Sequence, residues 1–354
     1  MKLPVNPPIA PMLAKAAKDL PIGSFLYEPK WDGFRCIVFR DGDEVELGSR
    51  NGKPLTRYFP EIVSAVKAQL PERCVIDGEV VVAGPDGLDF EVLSQRIHPA
   101  ASRVEMLARE TPARFVAFDL IAEGDLDLRE VPFSSRRERL EVLLGDAEPP
   151  VHLTPITDDP SVARDWFERF EGAGLDGVVA KGTGVGYLPD QRVMIKVKHE
   201  RTGDFVVGGF RWYAADRSVV GSLMLGLYEG GELHHVGVIG SFPREQRRRL
   251  VEELAPFRDP TEHPWSQWSE FMVADGGRAP GVGNRWNAKK DLSFELLRPE
   301  LVVEAAFEHL QGRRLRHTAR FRRWRPDRVA ESCTYDQLDV AVPALLSDVF
   351  GAGR

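Results

Sequence analysis

A chain of 354 residues with a formal net charge of −7 is long enough for about two domains. Its overall charge argues against a protein that merely coats nucleic acid. No apolar run approaches the ~20 residues needed to cross a bilayer, and the opening "MKLPVNPPIAPMLAKAAKDL" lacks a long apolar h-region, so neither a membrane span nor a signal peptide is expected and the cytoplasm is the expected compartment.

Strand-like runs dominate the first half. "FRCIVFRDGDEVELGSRNG" predicts a hairpin that turns at Asp41-Gly42. "RYFPEIVSAVKAQL" carries apolar residues at helical spacing, and "CVIDGEVVVAGPDG" reads as a strand and turn. "FEVLSQRI" and "SRVEMLARE" read as helices, and "ARFVAFDLIAEG" as a buried strand. "PFSSRRERLEVLLG" predicts an amphipathic helix with Ser134 or Ser135 as N-cap, and "DPSVARDWFERFEGAG" a helix that stops at glycine. "LDGVVAKG" and "RVMIKVKHE" are short strands. Beyond about residue 200, from "DFVVGGFRW" to "FRRWRP", short strands surround one strong helix, "PREQRRRLVEELAPF". That pattern suggests a small, partly open barrel of the oligonucleotide-binding type. The Gly-rich "ADGGRAPGVGNRW" lacks a following Lys-Ser/Thr, so a mobile surface loop is expected there rather than a phosphate cradle. Cys36, Cys74 and Cys333 are odd in number and far apart. They support neither a disulfide framework nor a zinc site, and each is expected to be a small buried residue.

Lys30, in "EPKWDGFRCIVF", sits at the lip of a strand beside Trp31. A free lysine amine, with a pKa near ~10.4, is almost wholly protonated at neutral pH. Desolvation and neighbouring cations make such an amine nucleophilic. Lys196 and Lys198 in "MIKVKHE" are two apart, so a strand points them to one face, and Lys181 ends another strand. Alone, a lysine before Asp-Gly is weak, and alternating lysines are usually a solvated face. Eight arginines crowd residues 312–328, opposed within that run by Asp327 only; such a run is commonly a solvated or phosphate-binding surface.

The ordered series is more specific. Lys30-Trp31-Asp32-Gly33 with Arg35, Ser49-Arg50-Asn51-Gly52, Asp77-Gly78-Glu79, Phe115 to Asp119, Asp176 to Lys181, Lys196-Val197-Lys198 and "ARFRRWRPDR" follow one another in the chain. In that order they resemble the motifs of the covalent nucleotidyltransferase superfamily, specifically ATP-dependent DNA ligases. The resemblance implies an α+β nucleotidyltransferase (adenylation) domain of antiparallel sheets flanked by helices, residues 1–200, then an OB-fold β-barrel domain, residues 201–354. It implies that the Lys30 amine attacks the α-phosphate of ATP, forming covalent Lys–AMP, while Lys196 and Lys198 hold that phosphate. Glu28 would read the adenine amine and Phe118 stack on its face; core packing is the bland alternative for Phe118. Arg35 and Arg50 would bind phosphates, Arg50 the 5′-phosphate of the nick. Lys181 joins the nucleotide site. Glu79 would bind the ribose or a metal, and Asp176 would be metal-directed, toward Mg²⁺ or Mn²⁺. Most relatives carry Glu at that position, so the shorter Asp176 would reach Mg²⁺ either directly or through water. Arg320, Arg323, Arg325, Asp327 and Arg328 match the sixth motif, which in the family folds over ATP and orients pyrophosphate before the domain swings away. Relatives often have Lys where Arg328 stands and Pro where Ala319 stands.

The immediate start before the nucleophile resembles the minimal bacterial ligases of the type mycobacteria carry beside their main ligase, and no large N-terminal DNA-binding domain is expected. "DFVVGGF" and "TYDQLD" strengthen that likeness. The expected substrate is nicked duplex DNA in repair, sealed by a monomer without a membrane. A Ku-type end-binding protein or a repair polymerase or primase is an expected partner by analogy alone. An RNA ligase, a capping-type nucleotidyltransferase and a DNA-binding scaffold with a decayed site are the alternatives, separated by RNA sealing, GMP transfer, and DNA binding without adenylylation.

Overall fold

The computed structural model describes residues 1–85, 87–98, 100–213, 216–258, 262–266, 293–308, 310–338 and 344–352. Two compact units emerge: Met1–Lys198 with Ala341–Arg354, and His199–Val340. The last fourteen residues, which the sequence places with the barrel, therefore group with the first unit.

The first unit contains β1 (Leu13–Ala17), β2 (Phe25–Pro29), β3 (Phe34–Asp41), β4 (Glu44–Ser49), α1 (Pro60–Gln69), β5 (Arg73–Gly84), α2 (Phe90–Gln95), α3 (Ala101–Glu110), β6 (Ala113–Glu123), α4 (Phe133–Leu143), β7 (Val151–Leu153), α5 (Pro160–Arg169), β8 (Gly177–Gly182) and β9 (Arg192–Lys198). The larger sheet runs β4-β3-β5-β6 and is antiparallel. β7 joins β6 in parallel, and the pairs Gly87–Leu88 and Leu126–Asp127 complete the sheet. The smaller sheet runs β1-β9-β8-β2, antiparallel except for β1 on β9.

The near-continuous apolar run of β3 has a simple cause. Alternate side chains serve opposite faces, and both faces are covered. Cys36 and Val38 pack with Phe59, Ile62 and Leu140 from the helices. Ile37 and Phe39 pack with Tyr187, Met194 and Val179 on the side of the smaller sheet. Helix ends follow local chemistry. Asp89 caps α2 by accepting the Val92 N–H at 2.9 Å, and Asp159 caps α5. The serine cap expected for α4 is absent: Pro132 is its N-cap, with no side-chain capping bond, and the Ser134 N–H donates to the Thr183 carbonyl. All three cysteines are free and buried.

In the second unit β10 (Arg201–Tyr213), β11 (Asp216–Glu229), β12 (Glu232–Ile239), β13 (Val302–Phe307) and β14 (Arg320–Trp324) form an antiparallel sheet ordered β12-β11-β10-β13-β14, and α6 (Arg244–Leu254) follows β12 in the chain. The Ala319 N–H donates to the Val238 carbonyl at 2.9 Å and Ile239 bridges Ala319. The end of β12 thus meets the start of β14, and the sheet rolls toward closure as an OB-fold barrel. Phe205, Val207, Leu225, Trp265 and Val303 fill it. The Gly-rich stretch 274–286 lies outside the described residues. The chain then contributes α7 (Leu346–Gly351) to the first unit. Among the described residues no helix is long and apolar enough to cross a membrane.

Candidate active site

The smaller sheet of the first unit gathers the basic residues. Register pairs Val179 with Glu28 on one side and with Lys196 on the other. Residues in one row share a face, and so do residues two apart along a strand. Glu28, Val179, Lys181, Lys196 and Lys198 therefore belong to one face. Lys30 follows β2. Its N–H donates to the Gly177 carbonyl at 2.8 Å, and its carbonyl accepts the Asp176 N–H at 3.0 Å. Its Nζ lies 2.6 Å from Asp176 Oδ2, and the Lys198 Nζ lies 3.2 Å from the same oxygen. Asp176 is buried, whereas both ammonium groups reach solvent.

Two glycines permit this approach. A Cβ at Gly177 (φ +136°) would lie 2.1 Å from the Val197 carbonyl oxygen, and one at Gly33 would lie 2.1 Å from that of Val80. Each Asp-Gly pair thus lets one backbone press on another where the lysines meet.

Glu28 is buried. Its Oε2 pairs with Lys181 Nζ at 2.7 Å, while Oε1 has no hydrogen-bond partner and lies 3.7 Å from Arg137 Nη1. Burial pushes its pKa up, against the opposing pull of Lys181 and Arg137. Lys181 also donates to the Phe118 carbonyl at 3.1 Å and stands 4.5 Å from that ring's centroid. The Arg35 guanidinium lies 4.5 Å from the Phe118 centroid as well. Arg35 itself holds Asp77 through two bonds, at 2.6 and 2.5 Å, and Tyr187 donates to the same carboxylate at 2.7 Å. In this structure Arg35 is thus committed to a buried acid. Glu79 is paired across the sheet with Arg35. Burial drives its pKa to about 7, although Arg35 and Lys30 pull it down. Arg50 follows β4 and is exposed.

The sixth-motif residues lie in the second unit on and after β14. Arg320 and Arg322 both pair with Glu200. Arg323 meets Glu304 at 2.7 Å. Arg325 binds Asp327 at 2.7 Å and Asp204 at 2.9 Å, and Arg328 lies 3.3 Å from Asp204. Hydrogen bonds from Arg325 hold the Asp327 pKa down at about 2. Among the described residues these arginines are answered by Glu200, Asp204 and Glu304 from elsewhere in the chain and by Asp327 within the run.

Sequence reasoning overlooked Arg136 and Arg137. Arg136 is fully buried and holds Asp119 through two bonds, 2.8 and 3.0 Å. Arg137 donates to the Thr154 carbonyl at 2.8 Å and faces Glu28. The signal was present: an acid inside the apolar run "FVAFDLIA" demands a buried cation.

Residues 11–198 match the family model described as ATP dependent DNA ligase domain, and residues 216–328 the one described as ATP dependent DNA ligase C terminal region. The chain is 57% identical to DNA ligase C2 of Mycolicibacterium smegmatis, over 96% of each chain. It is 54% identical to DNA ligase C of Mycobacterium tuberculosis, over 99% of each. A solved Lig E DNA ligase, 20% identical, aligns with a TM-score of 0.55 over 90% of this chain and 100% of its own, which shows a shared fold. Family matches in both halves and relatives aligned along nearly the whole length lead to one conclusion: the chain belongs to the ATP-dependent DNA ligases.

Proposed function

We propose that this ATP-dependent DNA ligase seals 5′-phosphate/3′-hydroxyl nicks in duplex DNA, in repair, through a covalent adenylate on Lys30. The observation that carries the reading is the convergence of Lys30 and Lys198 on Asp176, on a face shared with Glu28, Lys181 and Lys196. The Lys30 nitrogen attacks the α-phosphorus of ATP, the bond to the β-phosphate oxygen breaks, and pyrophosphate leaves. Lys196 and Lys198 stabilise the charge on the α-phosphate. The 5′-phosphate of the nick then displaces Lys30 and takes the AMP, and the 3′-hydroxyl displaces AMP and joins the strands.

Glu28 Oε1, a buried acceptor that makes no hydrogen bond and lies 3.7 Å from Arg137, suits the adenine amine. Phe118 offers a ring to the base, and Arg50 a guanidinium to the nick phosphate. Arg35 acts through Asp77 until phosphate competes for it, and Arg320, Arg323, Arg325, Asp327 and Arg328 serve the pyrophosphate. Glu79 and Asp176 fit a divalent cation such as Mg²⁺ or Mn²⁺. Both offer hard oxygen donors, and because burial raises the Glu79 pKa, a cation bound there would favour its charged form. A metal there would offset phosphate charge during transfer. The enzyme acts as a cytoplasmic monomer, and a Ku-type end-binding protein or a repair polymerase or primase is proposed as partner by analogy alone; pull-down from extract tests that.

Incubation with α-labelled ATP and magnesium tests the core reading. Covalent label in the wild type and none in Lys30→Ala is expected; equal label in both sinks it. Faster sealing of an all-RNA nick than of a DNA nick, or GMP transfer from GTP, would move the assignment to another branch.

A further inference from the structure

The arrangement above makes no use of α7, yet this helix packs against the segment that carries Lys30. Val349 is fully buried among Trp31, Val81, Val116, Trp166 and Leu175. The Phe350 ring stacks on His152, with centroids 4.1 Å apart and planes 21° apart, and on Trp31 at 5.1 Å and 22°. The Arg114 guanidinium lies 5.9 Å from the same ring. The Trp31 indole N–H donates to Thr154 Oγ1 at 2.8 Å. The carbonyl of Thr154 in turn accepts from Arg137, which faces Glu28.

The backbone explains why this matters. Ladder-type bonds to Asp176 and Gly177 fix Lys30 on one side. The next residues, Trp31 and Asp32, lie between β2 and β3 and belong to neither strand. Packing around the indole and its bond to Thr154 therefore help to set the position of the peptide after Lys30. Ordering of this kind matters for an in-line attack, because a displacement of ~1 Å at the reacting atoms can cost about 10²-fold.

The geometry points to Phe350 as a positioning residue for self-adenylylation: its stacked ring holds Trp31, and through Trp31 the backbone of the nucleophile. This rests on Lys30 being the nucleophile. The role is specific to the first step. Joining at a nick that already carries AMP needs no attack by Lys30 and so needs no such positioning.

The experiment uses the full chain as wild type, Phe350→Ala, Phe350→Leu and Phe350→Tyr. Single-turnover label transfer from α-labelled ATP is measured across ATP concentrations, beside sealing of a pre-adenylylated nicked duplex and thermal unfolding. Phe350→Ala is expected to lower the saturated rate of label transfer by about tenfold or more, with little change in the ATP concentration for half-saturation and with pre-adenylylated sealing kept. Phe350→Tyr, which keeps the flat ring, is expected to restore the rate, and Phe350→Leu, which keeps only the burial, is not. Equal losses in both assays, an unchanged Phe350→Ala, or Leu and Tyr variants that behave alike would each overturn the proposal. Should Phe350→Ala fail to fold, the Leu and Tyr pair still decides it. A wild type that takes no label would remove the Lys30 reading itself; a labelled wild type with indifferent Phe350 variants removes this inference alone.

Discussion

Gly177→Ala is the most demanding test of how the site is built. Gly177 lies across the ladder from Lys198, and its carbonyl accepts the Lys30 N–H. The added Cβ would meet the Val197 carbonyl oxygen at 2.1 Å and the Lys198 Cα at 3.0 Å. Restoring an ordinary separation of ~3.5 Å from that oxygen means a shift of about 1.4 Å between neighbouring strands. The φ of +136° is costly for any L side chain, at about 1–3 kcal/mol. The strands that must part are β8, whose Gly177 is hydrogen-bonded to the Lys30 backbone, and β9, which carries Lys196 and Lys198. Misplacement of ~1 Å supports an expected loss of about 10²-fold in the adenylylation rate, equivalent to about 2.7 kcal/mol of barrier. Rapid-quench measurement of label on the protein is the assay. Gly184→Ala is the control, because a Cβ there meets nothing within 4 Å. A Gly177→Ala protein that adenylylates within about threefold of wild type, under ~0.7 kcal/mol of barrier, would refute the reasoning.

Asp119→Ala leaves the fully buried Arg136 without its bidentate partner, so urea unfolding should show a loss of about 3–5 kcal/mol; a loss below ~1 kcal/mol would mean that water reaches the arginine. Glu28→Gln keeps the shape but removes the charge between Lys181 and Arg137. Half-saturation by ATP should rise by about tenfold or more, a binding loss of ~1.4 kcal/mol, and an unchanged value would separate Glu28 from the adenine. The third concerns pH. Burial first, and then Arg114, hold the His152 imidazole down to about 4, whereas in the unfolded chain it titrates near ~6.5. The unfolded state therefore binds more protons between these values. The stability this implies is fully present above pH ~6.5 and falls as pH drops toward about 4, reaching a loss of about 2 kcal/mol at pH ~5. His152→Gln should flatten that stretch of the stability profile in urea titrations, and an identical profile would place the titration elsewhere.

Local patterns carried most of the fold. The Asp41-Gly42 hairpin, α1, α5 and the paired strands β8 and β9 were legible because turn chemistry and periodicity act within a few residues. The alternation of Lys196 and Lys198 was legible for the same reason. The acids that answer these cations were not. Asp176 reads as a metal-directed group, yet here it also bridges Lys30 and Lys198, and Arg35 reads as a phosphate ligand, yet it grips Asp77. Such pairs span tens of residues or more, and only the folded sheets choose between them. Arg136 and Arg137 were passed over in a helix read as amphipathic, where arginine belongs on the polar face, although both are buried. The seat of α7 was invisible too, since six residues offer too short a window for periodicity.

The chain leaves the first unit after Lys198 and rejoins it from Ala341. The first unit is consequently not a continuous stretch of sequence. A fragment cut at Lys198 would lack Val349 and Phe350 and lay bare the apolar surface around Trp31, Val81 and Val116. Dissection of such a ligase by expressing its leading half would therefore confuse the intrinsic chemistry of that half with the injury of the cut. A synthetic peptide covering residues 341–354, added in trans to residues 1–198, would be the natural remedy, and two-piece reconstitution the natural way to study the unit in isolation.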